Sequence, residues 1–175
     1  TSLLAGYLKS VFPNCLRIKV GLSQNFIRGG KDYLRKFVGS FLKEGYYRKN
    51  GKKKISVSPG QTTLLPYEEK PELSALFLSV ETDMIWHSTR IPSIQVYQQV
   101  SLKEFRLLKY MGWGRFLYRL LNISERVIPY IIRIFYKFSV LRSKGYCIFC
   151  EVSNSSDKIW IKAKFKDRQK IEKKL

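Results

Sequence analysis

Cys147 and Cys150 stand with two residues between them, a spacing at which thiolates can hold one side of a zinc ion or form a redox pair. Structural zinc needs four ligands. No second pair follows, the intervening Ile148 and Phe149 are apolar, and Cys15 and the single His87 lie far off in sequence. The pair therefore reads as two buried strand cysteines, and three cysteines are too sparse and odd a set for a disulfide scaffold. Glu81 and Asp83 would share one face of a strand, as two metal ligands do, yet no third ligand accompanies them. Catalysis requires a constellation of converging groups. His87 beside Ser88 reads only as a strand pair. The expectation is no catalytic residue, no metal, no cofactor and no small-molecule substrate.

Charge is the stronger chemical signal. Thirty-three Lys and Arg stand against 13 Asp and Glu, a net charge of +20 in 175 residues. Such self-repulsion opposes compaction. A polyanion cancels it, because cations that neutralise phosphates release condensed counterions. Nucleic acid is the first-choice partner and an anionic membrane surface the second. The acids are uneven: Glu68, Glu69, Glu72, Glu81 and Asp83 cluster, and the first 31 residues carry none. That cluster is either a face turned toward another basic protein or a solvated acidic loop.

The elements that would position these charges follow from periodicity. Ser2 is placed to cap a first helix with the apolar stripe Leu3, Leu4, Tyr7, Leu8 and Val11, ended by Pro13 and Asn14. Lys9 and Pro13 interrupt that apolar stretch, so it lacks a secretory-signal pattern. Cys15 to Val20 reads as a strand. In Lys31 to Glu44 the residues Tyr33, Leu34, Phe37, Val38, Phe41 and Leu42 recur at helical spacing, with Gly45 at the C-terminal position. Asn50-Gly51 is a hairpin signal between strands at Tyr46 to Lys49 and Lys53 to Val57. Pro59 to Pro66 reads as a linker without regular structure. Leu73 to Val80, Met84 to Ser88 and the segment around Ile94, Val96 and Tyr97 read as strands. Ser101 and Glu104 form a capping-box pattern that starts a helix, and Pro129 restarts one near Val127. From Lys103 to Arg142 nine basic residues face two acids, without the uncharged length of a membrane span. Phe138 to Leu141, Tyr146 to Val152 and Ile159 to Phe165 complete the strands. In the last, Ile159, Ile161, Ala163 and Phe165 point inward and Lys162, Lys164 and Lys166 outward. Asp167 to Leu175 is a charged tail.

Several of these pieces fall in an order that matches a known pattern. They are the helix running into Phe41-Leu42-Lys43-Glu44-Gly45-Tyr46-Tyr47, then Lys70-Pro71-Glu72-Leu73 before an apolar strand, and then Ile91-Pro92-Ser93-Ile94-Gln95-Val96-Tyr97. Ser143-Lys144-Gly145 and Asp157-Lys158-Ile159-Trp160 follow. Together they resemble the small-subunit ribosomal protein eight family, in a diverged organellar form. The resemblance implies an α/β (α+β) protein of two small subdomains. Residues 1–83 would form an N-terminal α-β-α-β-β unit. Residues 84–175 would form a mostly β, rRNA-binding unit with a helical insertion at about 101–137 and a basic tail. It implies binding to the central domain of small-subunit rRNA, contact with neighbouring small-subunit proteins, and a role in assembly. The family's Ser-Lys-Gly turn reaches into an irregular RNA helix, a role that the resemblance would give here to Ser143, Lys144 and Gly145. RNA of that kind is recognised by shape and 2′-hydroxyls.

Departures from the family are specific. Ile91 stands where the family has Arg, and Ser93 where it has Gly, which puts one positive contact and one flexible position in doubt. Leu141 and Arg142 stand where the family has Ser and Thr, and Arg142 is placed to substitute a phosphate contact. Tyr97, Lys52, Lys53, Lys54, Lys162 and Lys164 are further rRNA-contact candidates, while Trp113 and Trp160 read as packing residues. An Ile-, Lys-, Phe- and Tyr-rich composition suits an AT-rich organelle genome. The expected location is the mitochondrial matrix, with plastid or bacterial cytoplasm as alternatives. The rival readings are an enzyme, a membrane-surface protein using Lys103 to Leu141, and another RNA-binding accessory such as a splicing factor.

Overall fold

The computed structural model describes residues 1–23, 45–56, 61–67, 71–76, 81–103, 105–106, 109 and 146–165. The chain opens with α1, Ser2–Val11. Thr1, not Ser2, is the N-cap, and it makes no side-chain capping bond. The buried line is Ala5 and Leu8 with Leu4 and Phe12 beside it, so Leu3, Tyr7 and Val11 of the expected stripe point to solvent. Ala5 and Leu8 instead join the main core cluster with Ile18, Val20 and Ile148. Pro13 has no N–H to continue the helix, which closes at Phe12 through a hydrogen bond from its N–H to the Leu8 carbonyl.

The fold is mixed α+β. β1 (Arg17–Ser23), β2 (Gly45–Lys49), β3 (Lys52–Ser56), β4 (Thr62–Leu65) and β5 (Glu72–Leu76) precede a second helix, α2 (Glu81–Thr89). Then come β6 (Ser93–Gln99), β7 (Tyr146–Ser153) and β8 (Lys158–Phe165). They form one eight-stranded sheet in the order β3-β2-β6-β1-β7-β8, with the β4–β5 hairpin attached to the second half of β6. β1 runs parallel to β6 and antiparallel to β7, and the other pairings are antiparallel. The sheet thus joins strands from both sides of residue 84.

Two expectations are overturned. Met84 to Ser88 is not a strand but the heart of α2. Its buried residues are Thr82, Ile85 and Thr89, a 3.6-residue rhythm that the β-branched and aromatic content of the segment obscured. Glu81 and Asp83 consequently leave the helix in different directions instead of sharing a strand face, and they sit in its first turn, where carboxylates suit the macrodipole. Pro59 to Pro66 is not wholly irregular either: Thr62–Leu65 pairs with β5. Only Leu65 of β4 is buried, so partner backbone rather than its own apolar pattern makes this strand. The expected helix at Lys31 to Glu44 and strand at Phe138 to Leu141 lie outside the described residues. Helical backbone does begin after Ser101, where the Phe105 N–H bonds the Ser101 carbonyl.

Side chains alternate across a pleated strand, and the sheet has two unlike faces. α1 and α2 cover one, where Ala5, Leu8 and Ile85 pack on Ile18, Val20, Ile94, Val96, Ile148, Cys150 and Val152. Burial of each large aliphatic residue there contributes about 1.5–3 kcal/mol. A smaller cluster on the far face gathers Leu65, Tyr67, Leu76, Tyr97, Cys147 and Phe149, with Tyr47 at its rim. Gly21 is its floor. A Cβ added there would lie 2.6 Å from Leu65 Cδ1 and 2.8 Å from Tyr67 Oη. The Tyr67 ring cannot easily yield, since the Ser74 hydroxyl donates to its Oη at 3.0 Å and its carbonyl accepts from the Cys147 thiol. Gly21→Ala is therefore expected to destabilise the fold by about 1–3 kcal/mol through overpacking, read as a lower urea midpoint. An unchanged midpoint would mean that Tyr67 is free to swing away.

Candidate nucleic-acid interface

The register of the sheet places its far-face residues in transverse rows. At the end where β1 begins, Lys52 opposes Lys49, Arg17 lies between Ser93 and Ser153, and Ser153 opposes Lys158. Because Arg48 pairs with Ile94, Lys49 falls beside Ser93, which closes the row as Lys52–Lys49–Ser93–Arg17–Ser153–Lys158. All four cations are exposed, and the row holds no acid. Six strands at about 4.8 Å spacing make it roughly 24 Å wide. The next row reads Lys54–Tyr47–Gln95–Lys19–Glu151–Trp160, and Glu151 is paired with Lys19 at 3.6 Å. Beyond it Tyr67 and Leu65 close over Gly21.

A cleft of about 410 Å³ opens beside Ser93 and Arg17 in the middle of the first row, between the β2–β3 turn, the entry to β6 and the β7–β8 turn. Leu16 and Pro92 give it an apolar lining, and Arg17, Asn50, Ser93, Asn154 and Ser155 add polar groups. Its walls are held by local chemistry. Asn50 and Gly51 have φ of 51° and 76°, the left-handed pair that a two-residue hairpin of this twist requires. The turn docks on β6 through the Gly51 N–H to the Pro92 carbonyl at 2.7 Å and the Asn50 N–H to Ser93 Oγ at 3.1 Å. Opposite, Asn154 Oδ1 accepts from the Ser156 and Asp157 N–H groups and fixes the β7–β8 turn.

The lysine run 52–54 is split by the pleat. Lys52 and Lys54 belong to the far face, whereas Lys53 faces the helices, 3.5 Å from Asp83 Oδ1. Arg48, buried beside it, also lies 3.5 Å from Asp83, stacks 4.2 Å from the Trp86 ring and donates to the Gly51 carbonyl. Lys162 and Lys164 are far-face residues of β8, opposite Phe149 and Cys147 and away from the cationic row. Tyr97 is 4% exposed and packed with Tyr67 and Phe149, so its ring presents no open face. Burial also raises its phenol pKa. Trp160 departs from the packing role expected of it: it is 57% exposed and braced on one side by Phe149, ring centroids 6.0 Å apart. Arg142, Ser143, Lys144, Gly145 and Trp113 lie outside the described residues.

Sequence reasoning missed Arg17, Lys49 and Lys158 as members of one row. The signal was local, since Arg17 and Lys19 alternate with Ile18 and Val20, but the alignment across strands depends on pairing partners far apart in sequence. Among the described residues no three His, Cys, Asp or Glu side chains are grouped to hold a metal ion. No described helix is long and apolar enough to cross a membrane. His87 is exposed on α2, and the neighbouring Ser88 hydroxyl is spent on the Ile85 carbonyl.

The Cys-x-x-Cys pair is resolved by strand geometry. An offset of three puts the two side chains on opposite faces, Cys150 in the helix-side cluster and Cys147 under Tyr67, so they cannot share a ligand. Burial pushes the Cys150 thiol up to about 12. An acid whose folded pKa lies above its unfolded value, near 9, favours the fold below pH 9 and loses that contribution as pH rises toward 12. Cys150→Val should therefore flatten part of the decline in stability between pH 9 and 12, measured by urea unfolding against the parent. Identical pH profiles would show that the thiol is not shielded. Compared with known proteins, the chain matches no family model and no curated sequence.

Proposed function

We propose that the protein is a non-catalytic constituent of the small ribosomal subunit, one that binds the central domain of small-subunit rRNA and supports its folding in a mitochondrial ribosome. The observation that carries this reading is the excess of 20 positive charges, part of which is gathered on an acid-free, exposed row at one end of the sheet. Cations arranged in this way position phosphates, and phosphate contacts set orientation without reading sequence. The ordered motifs that resemble the ribosomal protein eight family add the location on the RNA. In this reading Ser143, Lys144 and Gly145, which lead directly into β7, supply the shape-specific contact: Gly145 admits close backbone approach and Lys144 adds charge. Neighbouring small-subunit proteins are the remaining partners.

Filter binding of the full chain to a central-domain rRNA fragment over a salt series tests the proposal. Wild type should lose affinity steeply between 50 and 200 mM salt, by about 10³-fold or more if six or more phosphates are neutralised. Ser143→Ala and Lys144→Ala should keep most of that salt dependence but lose preference for the fragment over an unrelated structured RNA. Equal wild-type affinity for both RNAs would refute the ribosomal assignment.

A further inference from the structure

The far face of the sheet offers more than unlocalised positive charge. Lys52, Lys49, Arg17 and Lys158 form a line across the strands, and among the described residues none of the four is in an ion pair. Trp160 shares a face with Lys158 two residues before it on β8, one row inward. Phe149 braces the indole on one side, and more than half of the residue remains exposed. The one carboxylate in these two rows, Glu151, is held by Lys19. Beside the line lies the cleft, mostly apolar in its lining through Leu16 and Pro92 but with Arg17, Asn50 and Ser155 at its walls, and its volume of about 410 Å³ falls within the roughly 300–1,000 Å³ of small-ligand pockets.

Protein surfaces that take single strands combine cations that follow the sugar–phosphate backbone with an aromatic face on which a base stacks. A duplex hides its base faces and cannot use the second feature. We propose that this end of the sheet is a binding surface for an unpaired RNA segment. Phosphates lie along Lys52, Lys49, Arg17 and Lys158, one base stacks on Trp160, and an adjoining nucleotide enters the cleft between Arg17 and Asn50. The surface uses none of residues 143–145, and the inference rests on the RNA-binding reading above. Asn50, Ser155 and the Arg17 guanidinium supply the polar groups that would meet a base edge or ribose hydroxyl.

The test uses the full chain and a fluorescein-labelled 12-nucleotide pyrimidine RNA, single-stranded or annealed to its complement, followed by anisotropy. The single strand should bind more tightly than the duplex and quench tryptophan emission. Trp160→Ala should weaken single-strand binding about 5- to 150-fold. Trp160→Phe should keep most of the affinity while losing the quench. The triple variant Arg17→Gln, Lys49→Gln, Lys158→Gln should lower the salt slope by about 2, from 0.7 per cation on a single strand. A control of equal charge loss, Lys103→Gln, Arg106→Gln, Lys109→Gln, should leave the slope nearer to wild type. All substituted side chains on the surface are exposed, and matching thermal melts establish that each variant folds.

If wild type binds RNA but the Trp160 variants and the triple variant bind the single strand as it does, the surface assignment is overturned while the broader reading stands. Equal loss in the triple variant and its control has the same consequence. Loss of binding to phosphatidylserine vesicles in the triple variant, with RNA affinity intact, reassigns the surface to a membrane and also overturns the inference. Failure of wild type to bind any RNA at low salt sinks the reading beneath it.

Discussion

The pleat of β1 is the constraint from which both faces of the molecule follow. Ile18, Val20 and Leu22 point toward the helices, and Arg17, Lys19 and Gly21 point away. β1 is paired along its length on both sides, so its register is imposed on β6 and β7 at once. A slip by one residue would drive Arg17 and Lys19 under α1 and α2 and expose the aliphatic trio. Burying unpaired charge costs several kcal/mol per ion, more than any local rearrangement of the helices could offset. The cationic rows are thus a by-product of the same alternation that builds the core.

Along the far face the three outward positions of β1 form a gradient. At Gly21 the missing side chain lets Tyr67 descend onto the sheet and close the small cluster with Phe149 and Tyr97. At Lys19 a cation is held by Glu151, and at Arg17 the surface is open and positive. Collecting like charges at that end is tolerable in the absence of a partner. Two unit charges about 10 Å apart in water repel by only about 0.4 kcal/mol, and salt screens them over about the same distance. With a polyanion present the sign of the interaction reverses and counterion release adds to it. A surface of this kind is cheap when empty and favourable when occupied, which an interior cluster of cations would not be.

What was legible in the sequence depended on whether the deciding partner was near or far. The β2–β3 hairpin was readable because Asn50-Gly51 carries its own backbone preference, β6 and β7 because both of their faces meet apolar clusters, and β8 because apolar residues alternate with lysines along it. α2 was misread as a strand because Ile85, Trp86 and Thr89 favour strands in isolation. Only packing against α1 and the sheet decides otherwise. β4 escaped notice because its partner β5, not its composition, makes it a strand. For the site, Lys52 and Lys54 were found as part of a lysine run, but that run also included Lys53, which the pleat sends to the other face. Arg17, Lys49 and Lys158 come from segments more than a hundred residues apart at the extremes, and nothing local marks them as one row. Trp160 looked like core because strand tryptophans usually are. Among the described residues β8 is the last strand of the sheet, with no strand on its outer side.

Adjacent residues Arg48 and Lys49 show why net charge alone is a poor guide to such a surface. The pleat sends Arg48 to the helix face, where its guanidinium meets Trp86, Asp83 and the Gly51 carbonyl. A planar, multidentate cation suits that task better than a point charge on a flexible stem. Lys49, one residue on, goes to the exposed row. The first cation is consumed in tying the β2–β3 hairpin to α2, and the second is thereby held in place at the edge of the row. Since the same hairpin is docked to β6 through Gly51 and Asn50, Lys49 and Lys52 are carried on a backbone fixed from two sides. Preorganising cations in this way lowers the ordering cost of binding. It is the division of labour between the faces, rather than the sum of the charges, that turns a basic sheet edge into a surface with a definite shape.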